Sequence, residues 1–343
     1  MPNSTQTLRY SRFGDPMETL ELETIPLPQP ADDEVTIRVL LAPINPADFG
    51  RINGSYGTLA NLPAVGGLEG VGEVVARGRK AQRFQIGSRV IFSGDPGSWQ
   101  TFANLPETGV HPAPNSLDDE QAAMFWINPA TAWRMLNDFA DLNSGDWIIQ
   151  NAATSAVGRL VIQFAAAKGI RTVNLVRNLK AKESLEEIGA DLVVEDNRDA
   201  AKVLRETMGS DMARLGLNAV GGSSALTICK CLADQSALVT YGGMDRDPAP
   251  FPTRYLIFND LRLYGFWVTQ WYREASTAEI EEMHQTIAEV IRDQAIATPV
   301  CGCYALDDWK AAIEQSVQPG KPGKVLFKMN EKQPIAEKHK AQS

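Results

Sequence analysis

The chain has 343 residues, 44% of them hydrophobic, a length that suits two domains with ordinary cores better than one. Its 33 basic and 42 acidic side chains leave a net charge of −9, which argues against nucleic acid or an anionic membrane surface as a partner. No uninterrupted apolar run approaches the roughly 20 residues needed to cross a bilayer, so no membrane span is expected.

The first ten residues, Met1–Tyr10, are polar and carry neither a signal-peptide core nor an Arg-rich transit pattern. A cytoplasmic protein is the expectation, or a mitochondrial one if a presequence has been removed. Four cysteines fall as Cys229/Cys231 and Cys301/Cys303, a CxC spacing, and only His111, His284 and His339 could assist a metal site. They are read as buried or indifferent thiols.

Up to about Leu117 the sequence is rich in short β-like segments punctuated by Gly and Pro. Glu34–Leu41, Gly72–Ala76 and Ser88–Phe92 are examples, and their alternation predicts an antiparallel, barrel-like domain. Near Asp118 the character changes. Carboxylates precede apolar residues there, a helix start, and helix and strand patterns then alternate to about Val268.

The predicted strands in this stretch are Asp146–Gln150, Thr172–Arg177, Asp191–Glu195, Leu215–Ala219, Ala237–Tyr241 and Arg262–Val268. Helices are predicted over Arg159–Lys168, Ala181–Ile188, Asp199–Met208 and Ser223–Leu232. Such alternation implies an α/β fold with a doubly wound parallel sheet of the dinucleotide-binding, Rossmann type. A longer helix, Thr277–Arg292, precedes a return to strand-like segments at Ala297–Tyr304 and Lys324–Lys328. The tail from Asn330 is polar and expected to fray. The predicted plan is a β-rich domain over residues 1–122 and 273–343, interrupted by a nucleotide-binding domain over 123–272. The cleft between them is the default active site.

The turn Asn151–Gly158 carries the nucleotide-binding reading. It is not a full GxGxxG, since Ala156 stands where a middle glycine is usual and Gly158 alone is kept. Small residues such as Asn151, Ser155, Ala156 and Val157 would let backbone N–H groups and a helix N-terminus approach a pyrophosphate. A Gly-poor turn of this kind can also be only a turn. A second Gly-rich turn, Ala219–Ser223, and Tyr241-Gly242-Gly243-Met244 after a later strand support the cofactor reading.

The second strand ends in Arg177, where an NAD-specific site usually has a carboxylate on the ribose hydroxyls. A guanidinium there suits a 2′-phosphate, and Lys180 and Lys182 follow before any acid, which points to NADPH. The alternative is a solvated charge after a strand.

Ala42–Asp48, Ile52-Asn-Gly-Ser-Tyr-Gly57 and Leu62–Gly70, with Gln150–Ala152, Asn174–Arg177, Thr240–Met244 and Gly265–Trp271, resemble the medium-chain dehydrogenase/reductase superfamily. Within it the chain is similar to the mitochondrial-type trans-2-enoyl thioester reductases, from about Tyr10 to Phe327. Gly67–Gly72 is shared by many activities. Asn53–Gly57 together with Phe266–Trp271 is more specific to the enoyl reductases.

The resemblance implies a GroES-like first domain and a zinc-free site. The Gly-His-Glu motif of zinc members reads Gly67-Leu68-Glu69 here, and no Cys-rich lobe is present. Glu69 is then expected to be a structural hydrogen-bonding carboxylate. The resemblance also implies a catalytic role for Tyr56 in substrate polarisation and proton delivery, whereas the residues alone favour a turn cap beside Gly54 and Gly57.

Asn45, between Pro43 and Pro46, would face the nicotinamide or substrate end of the cleft, or else make an Asx-turn. Thr131 could contact cofactor or cap a helix, as could Asn128. Phe266, Trp267, Val268 and Lys324 complete the implied cofactor-binding set. Trp271 would line the substrate pocket, with core or dimer interface as the alternative for it and for Phe266.

The expected activity is NADPH-dependent reduction of the C2–C3 double bond of trans-2-enoyl thioesters carried on CoA or acyl carrier protein. A zinc-free NADPH:quinone or enone reductase is the alternative, and a cofactor-binding structural or regulatory protein a further one. The apolar edge strand Arg262–Val268 implies a homodimer. An acidic carrier would need a local basic patch, for which Arg246, Arg254 and Arg273 are candidates.

Overall fold

The computed structural model describes residues 2–245, 247–250 and 253–329. Arg246, His339 and the tail from Asn330 lie outside the described residues. Contacts divide the chain into two compact units, residues 2–126 with 299–329, and Ile127–Thr298.

The first unit begins with β1 (Ser4–Tyr10), α1 (Pro16–Thr19), β2 (Leu20–Pro26) and β3 (Glu34–Pro43). It continues through α2 (Pro46–Asn53), β4 (Ala64–Val65), β5 (Glu69–Arg77), β6 (Arg89–Ser93), β7 (Phe102–Pro106), β8 (Val110–Pro112) and α3 (Asp119–Ala123). Strands β2, β1 and β4 form one antiparallel sheet. In the larger sheet β3 pairs antiparallel with both β5 and β7, and β5 continues to β6 and β8. Alternate residues Leu8 and Tyr10 of β1 and Val35, Ile37 and Val39 of β3 enter the core with Trp99 and Phe327.

The second unit holds α4 (Asn128–Asp138), β9 (Trp147–Gln150), α5 (Ala156–Ala167), β10 (Arg171–Val176), α6 (Lys182–Glu186) and β11 (Leu192–Glu195). It continues with α7 (Ala200–Met208), β12 (Ala213–Asn218), α8 (Gly222–Cys229), β13 (Leu232–Thr240), α9 (Thr253–Phe258), β14 (Arg262–Gly265), α10 (Val268–Glu274) and α11 (Thr277–Asp293). The strands run β11-β10-β9-β12-β13-β14, all parallel. Counted from β9 this is the 3-2-1-4-5-6 order of a Rossmann sheet, with its switch point between β9 and β12.

The chain then returns to the first unit as β15 (Val300–Tyr304), α12 (Trp309–Ser316) and β16 (Lys324–Lys328). β15 and β16 pair in parallel, and β16 closes antiparallel on β3. The β-rich unit is therefore not wholly antiparallel.

Two expectations are corrected. The predicted strand Arg262–Val268 stops at Gly265, because its partner β13 ends at Thr240, the residue opposite Gly265. Val268 opens α10 instead. The unit boundary lies at Thr298/Pro299, whereas the expected one fell at 272/273; α11, between the two, packs on α4.

Candidate active site

In the first unit β3 delivers the chain through Ile44 and Asn45 into α2. Pro46 opens the helix, where its missing N–H costs nothing, and Asp48 reaches back to accept from the Asn45 backbone N–H at 2.6 Å. The Asn45 side chain points elsewhere. Its Nδ2 donates to Glu69 Oε1 at 2.9 Å, and its Oδ1 accepts from Lys324 Nζ. Lys324 Nζ also donates to the Ile44 carbonyl at 3.3 Å.

Asn45, Asp48, Glu69 and Lys324 are all buried, none more than 5% exposed. Burial pulls the Lys324 ammonium down to about 8, against the pull of Glu69 and Asp48 upward. Burial likewise pushes Asp48 up to about 7, opposed by the Asn45 N–H and by Lys324. Glu69 accepts from the Asn45 amide through Oε1. Among the described residues no three His, Cys, Asp or Glu side chains gather as a metal-ligand set.

At the other end of α2, Gly54 takes a left-handed conformation at φ 81°, which a side chain would resist, and turns the chain sharply. Tyr56 follows, half-buried, with its backbone N–H on the Gly50 carbonyl at 3.1 Å. The eight residues of α2, about 12 Å of axis, separate Asn45 from Tyr56.

In the second unit the turn after β9 lies at the switch point of the sheet. Ser155 caps α5 by accepting from the Gly158 N–H at 3.0 Å. Ala156 and Val157 are the first two residues of that helix, where N–H groups have no intrahelical acceptor. Gly158 must lack a side chain. A Cβ there would stand 2.7 Å from the Ala152 carbonyl oxygen and 2.8 Å from Ala153 Cα.

Asn151 anchors the turn. Its Oδ1 accepts from the Ala219 N–H at 2.7 Å, and its Nδ2 donates to Asn218 Oδ1 at 2.8 Å and to Ser224 Oγ at 2.9 Å. Ser224 in turn donates to Asp196. Asn218 accepts from the Gly221 N–H and donates to Thr240. A second set ties β9 to β10, with Gln150 Nε2 donating to Asn174 Oδ1 at 2.8 Å and to the Gly158 carbonyl at 2.9 Å.

Tyr241 follows β13 with its hydroxyl buried beside Ser155, and burial raises that phenol above its ordinary value. Gly242 passes close to Ala219, while Gly243 and Met244 are exposed. Arg177 emerges exposed just beyond β10, beside Asn178, which caps the following turn. This arrangement fits a phosphorylated dinucleotide: first-turn N–H groups beside a side-chain-free Gly158, and a guanidinium past the next strand.

Two family descriptions match the chain, alcohol dehydrogenase GroES-like domain over residues 31–115 and zinc-binding dehydrogenase over residues 156–289. A human protein named enoyl-[acyl-carrier-protein] reductase, mitochondrial, is 38% identical over 335 residues, spanning 96% of this chain and 90% of its own length. This chain is an enoyl-reductase-type member of the medium-chain dehydrogenase/reductase superfamily.

An Arabidopsis thaliana relative of the same name shares 38% identity, covering 85% of this chain and 80% of its own. Among solved structures, a proposed NADPH:quinone reductase from Bacillus thuringiensis superposes with a TM-score of 0.89 at 27% identity, covering 95% of this chain and 99% of its own. The mitochondrial 2-enoyl thioester reductase heterodimer of Candida tropicalis gives 0.84 at 26% identity over the same shares.

For this reductase the remaining expected site residues fall as follows. The Thr131 hydroxyl donates to the Ile127 carbonyl at 2.6 Å, inside its own helix. Phe266 continues the ladder by one bond to Thr240 and meets Phe139 edge-on. Trp267, with Arg273 over its ring, precedes α10, whose first residue, Val268, is buried. Trp271 lies on α10 under the Arg134 guanidinium, 4.5 Å from its ring centre. Arg254 stacks on its neighbour Tyr255.

Sequence reading missed Asp48 and the amide set of Gln150, Asn174 and Asn218. Their signal is present: a carboxamide inside or ending an otherwise apolar buried strand must find partners.

Proposed function

We propose that the protein reduces the C2–C3 double bond of trans-2-enoyl thioesters with NADPH, on CoA or acyl carrier protein. The observation that carries this reading is near-full-length identity of 38% to a protein named as an enoyl-[acyl-carrier-protein] reductase. A second support is the likeness, at TM-score 0.84 and 26% identity, to a structure described as a complex with NADP and crotonyl-CoA.

NADPH, when bound, supplies the hydride. Residues Asn151, Ser155, Ala156, Val157, Tyr241, Gly242, Gly243 and Met244 would hold it, with Phe266, Trp267, Val268 and Thr131 bordering it and Arg177 on its 2′-phosphate. Addition at the β-carbon drives charge onto the thioester carbonyl oxygen as an enolate. Tyr56 would donate a hydrogen bond to that oxygen or a proton to the α-carbon, completing the saturated thioester. Trp271 is assigned to the acyl side of the pocket. The reaction is assigned no metal, since a conjugated thioester is already activated.

The second reading, quinone or enone reduction, is favoured by the 0.89 superposition on the Bacillus thuringiensis structure. Loss of NADPH absorbance with crotonyl-CoA and with a benzoquinone, for wild type and Tyr56→Phe, separates the two. Enoyl reduction requires a loss of about 100-fold or more on crotonyl-CoA alone, the scale of general acid catalysis. An unchanged rate in the variant excludes Tyr56 as the donor.

The proposal includes a homodimer joined through β14, whose Leu263 and Tyr264 stand 39% and 40% exposed on an open sheet edge. Ile257 and Phe258 of α9 extend the same apolar character. The four free cysteines suit a reducing compartment, the cytoplasm or a mitochondrial matrix. No helix among the described residues is long and apolar enough to cross a membrane.

A further inference from the structure

Between β5 and β6 the chain reads Arg77-Gly-Arg-Lys-Ala-Gln-Arg-Phe-Gln85, with cations at 77, 79, 80 and 83 and no acid, in a protein whose net charge is −9. Ala81 and Phe84 are buried in the core of the first unit, so the charged and amide side chains around them turn outward. The backbone fixes this loop as well. Gly78 donates to the Glu34 carbonyl at 2.8 Å, and Lys80 and Ala81 both donate to the Asp32 carbonyl, at 2.7 and 3.0 Å. A Cβ on Gly78 would stand 1.8 Å from the Ala31 carbonyl oxygen, so the loop lies backbone to backbone on the Ala31–Asp32 turn.

The loop borders a cavity of about 510 Å³ lined by Arg77, Gly78, Arg79, Ala81, Gln82 and Gln85. That volume suits a small molecule, but sites for neutral ligands are mostly apolar and this one is not. Its lining offers two guanidiniums and two carboxamides and no carboxylate. Three acids of the adjoining segments are engaged elsewhere. Asp32 accepts from Arg79 at 2.9 Å and lies 3.2 Å from Lys80, Glu34 accepts from the Ala31 N–H, and Glu107 accepts from the Arg83 N–H. Arg77 reaches the Phe84 carbonyl at 3.4 Å, and among the described residues no carboxylate pairs with it.

We propose that this cavity binds a small anion carrying a phosphate or diphosphate group, held by the Arg77 and Arg79 guanidiniums. A guanidinium grips phosphate through two parallel N–H bonds, and Gln82 and Gln85 add neutral donors. A chain this acidic repels anions in general, so an anion is held only where cations are gathered. The cavity lies apart from Asn45. Strand β5 starts at Glu69, which bonds Asn45, and ends at Arg77, about 26 Å away at about 3.3 Å per residue. The inference therefore does not rest on the reaction assigned above.

Calorimetric titration of the full-length protein with inorganic pyrophosphate at fixed ionic strength tests the site, with ADP and sulfate in parallel. Pyrophosphate is expected to bind one to one with a Kd of about 1 mM or below, within reach of two charge-assisted contacts. Arg77→Ala, a change at an exposed side chain, should weaken this about tenfold or more and leave the NADPH Kd within about twofold. Arg177→Ala should leave pyrophosphate binding within about twofold. ADP binding tighter than pyrophosphate, and lost with Arg77→Ala, identifies a nucleotide; equal affinities identify the phosphate groups alone.

Pyrophosphate that fails to saturate, or that binds equally well to Arg77→Ala, would overturn the proposal. Loss of binding in Arg177→Ala alone would place the anion at the cofactor turn instead. Sulfate binding as tightly as pyrophosphate would reduce the cavity to an adventitious ion only.

Discussion

Asn151 Nδ2 lies 2.8 Å from Asn218 Oδ1, and this bond joins the carboxyl ends of β9 and β12 at the switch point of the parallel sheet. The same Asn218 oxygen accepts from the Gly221 N–H at 3.0 Å. One buried amide thus ties the turn after β9 to the turn after β12.

Replacing Asn218 with Ala strands these two donors and the Thr240 hydroxyl. The expected loss of stability is about 2–4 kcal/mol, since each buried group left unmatched costs about 1–3 kcal/mol and some relax. Urea unfolding measures it, and NADPH titration should show weakened binding of the folded variant. A variant as stable as wild type would mean that the amide set is dispensable.

Gly158→Ala is the sharper steric change, because the clash is with the backbone at 2.7–2.8 Å and no flexible side chain can yield. Overpacking of this kind costs about 1–3 kcal/mol. NADPH affinity should fall with it, as α5 is pushed from the Ala152–Ala153 turn. A titration curve superimposable on wild type would refute the close approach.

Arg177→Ala should narrow the preference for NADPH over NADH without harming the fold, since the side chain is exposed. A charge-assisted phosphate contact is worth about 1.5–3 kcal/mol, or about 10–100-fold in kcat/KM ratio. The steady-state ratio for the two cofactors reads this directly. An unchanged ratio would assign the 2′-phosphate to other residues.

Asp48 gives a pH dependence with a definite sign. Its folded pKa, about 7, exceeds its ordinary 3.8, so the native state binds more protons than the unfolded chain between those values. Stability from this group is therefore greatest below about pH 4 and falls as pH rises to about 7. Asp48→Asn should remove that slope and be the more stable protein at pH 8, by a few kcal/mol at most on the order of 1.4 kcal/mol per pH unit. Lys324 adds the opposite trend at higher pH. With its folded pKa lowered to about 8, the native state binds fewer protons above that point, and stability rises toward 10.5. Denaturation at pH 4, 6 and 8 compares the two proteins, and parallel curves would contradict the burial of an Asp48 proton.

Leu263→Glu places a charge on the exposed edge of β14. The dimer proposal expects a shift to monomer in light scattering at micromolar concentration, with the fold retained because Leu263 is already 39% exposed. A wild-type protein that is itself monomeric would remove the proposal.

Periodicity alone marked out the six strands of the second unit. Buried parallel strands are short apolar runs, and the amphipathic helices between them repeat at their own spacing. The turn after β9 was legible as a turn for a related reason: small residues mark the passage from an apolar strand into a helix. Arg177 was legible because its position after β10 follows from the register of the βαβ unit.

The first unit was harder to read. Pro43 and Pro46 made Asn45 look like a loop residue, and α2, which begins at Pro46, was not foreseen. The aromatic run after Gly265 has strand propensity, but the ladder stops where β13 stops. The strands β15 and β16 were expected, but the helix Trp309–Ser316 between them and their parallel pairing went unread, because a single helical crossover near the chain's end looks like any short amphipathic stretch.

By itself, then, the sequence determined the alternation of strands and helices in the second unit, the turn that feeds α5 and the cation beyond β10, each a feature set within about 30 consecutive residues. Tertiary structure alone decided that Lys324 meets Asn45, 279 positions earlier, and that Asn151 meets Asn218, 67 positions later. Such pairings depend on which strands become neighbours, and no local pattern encodes that choice.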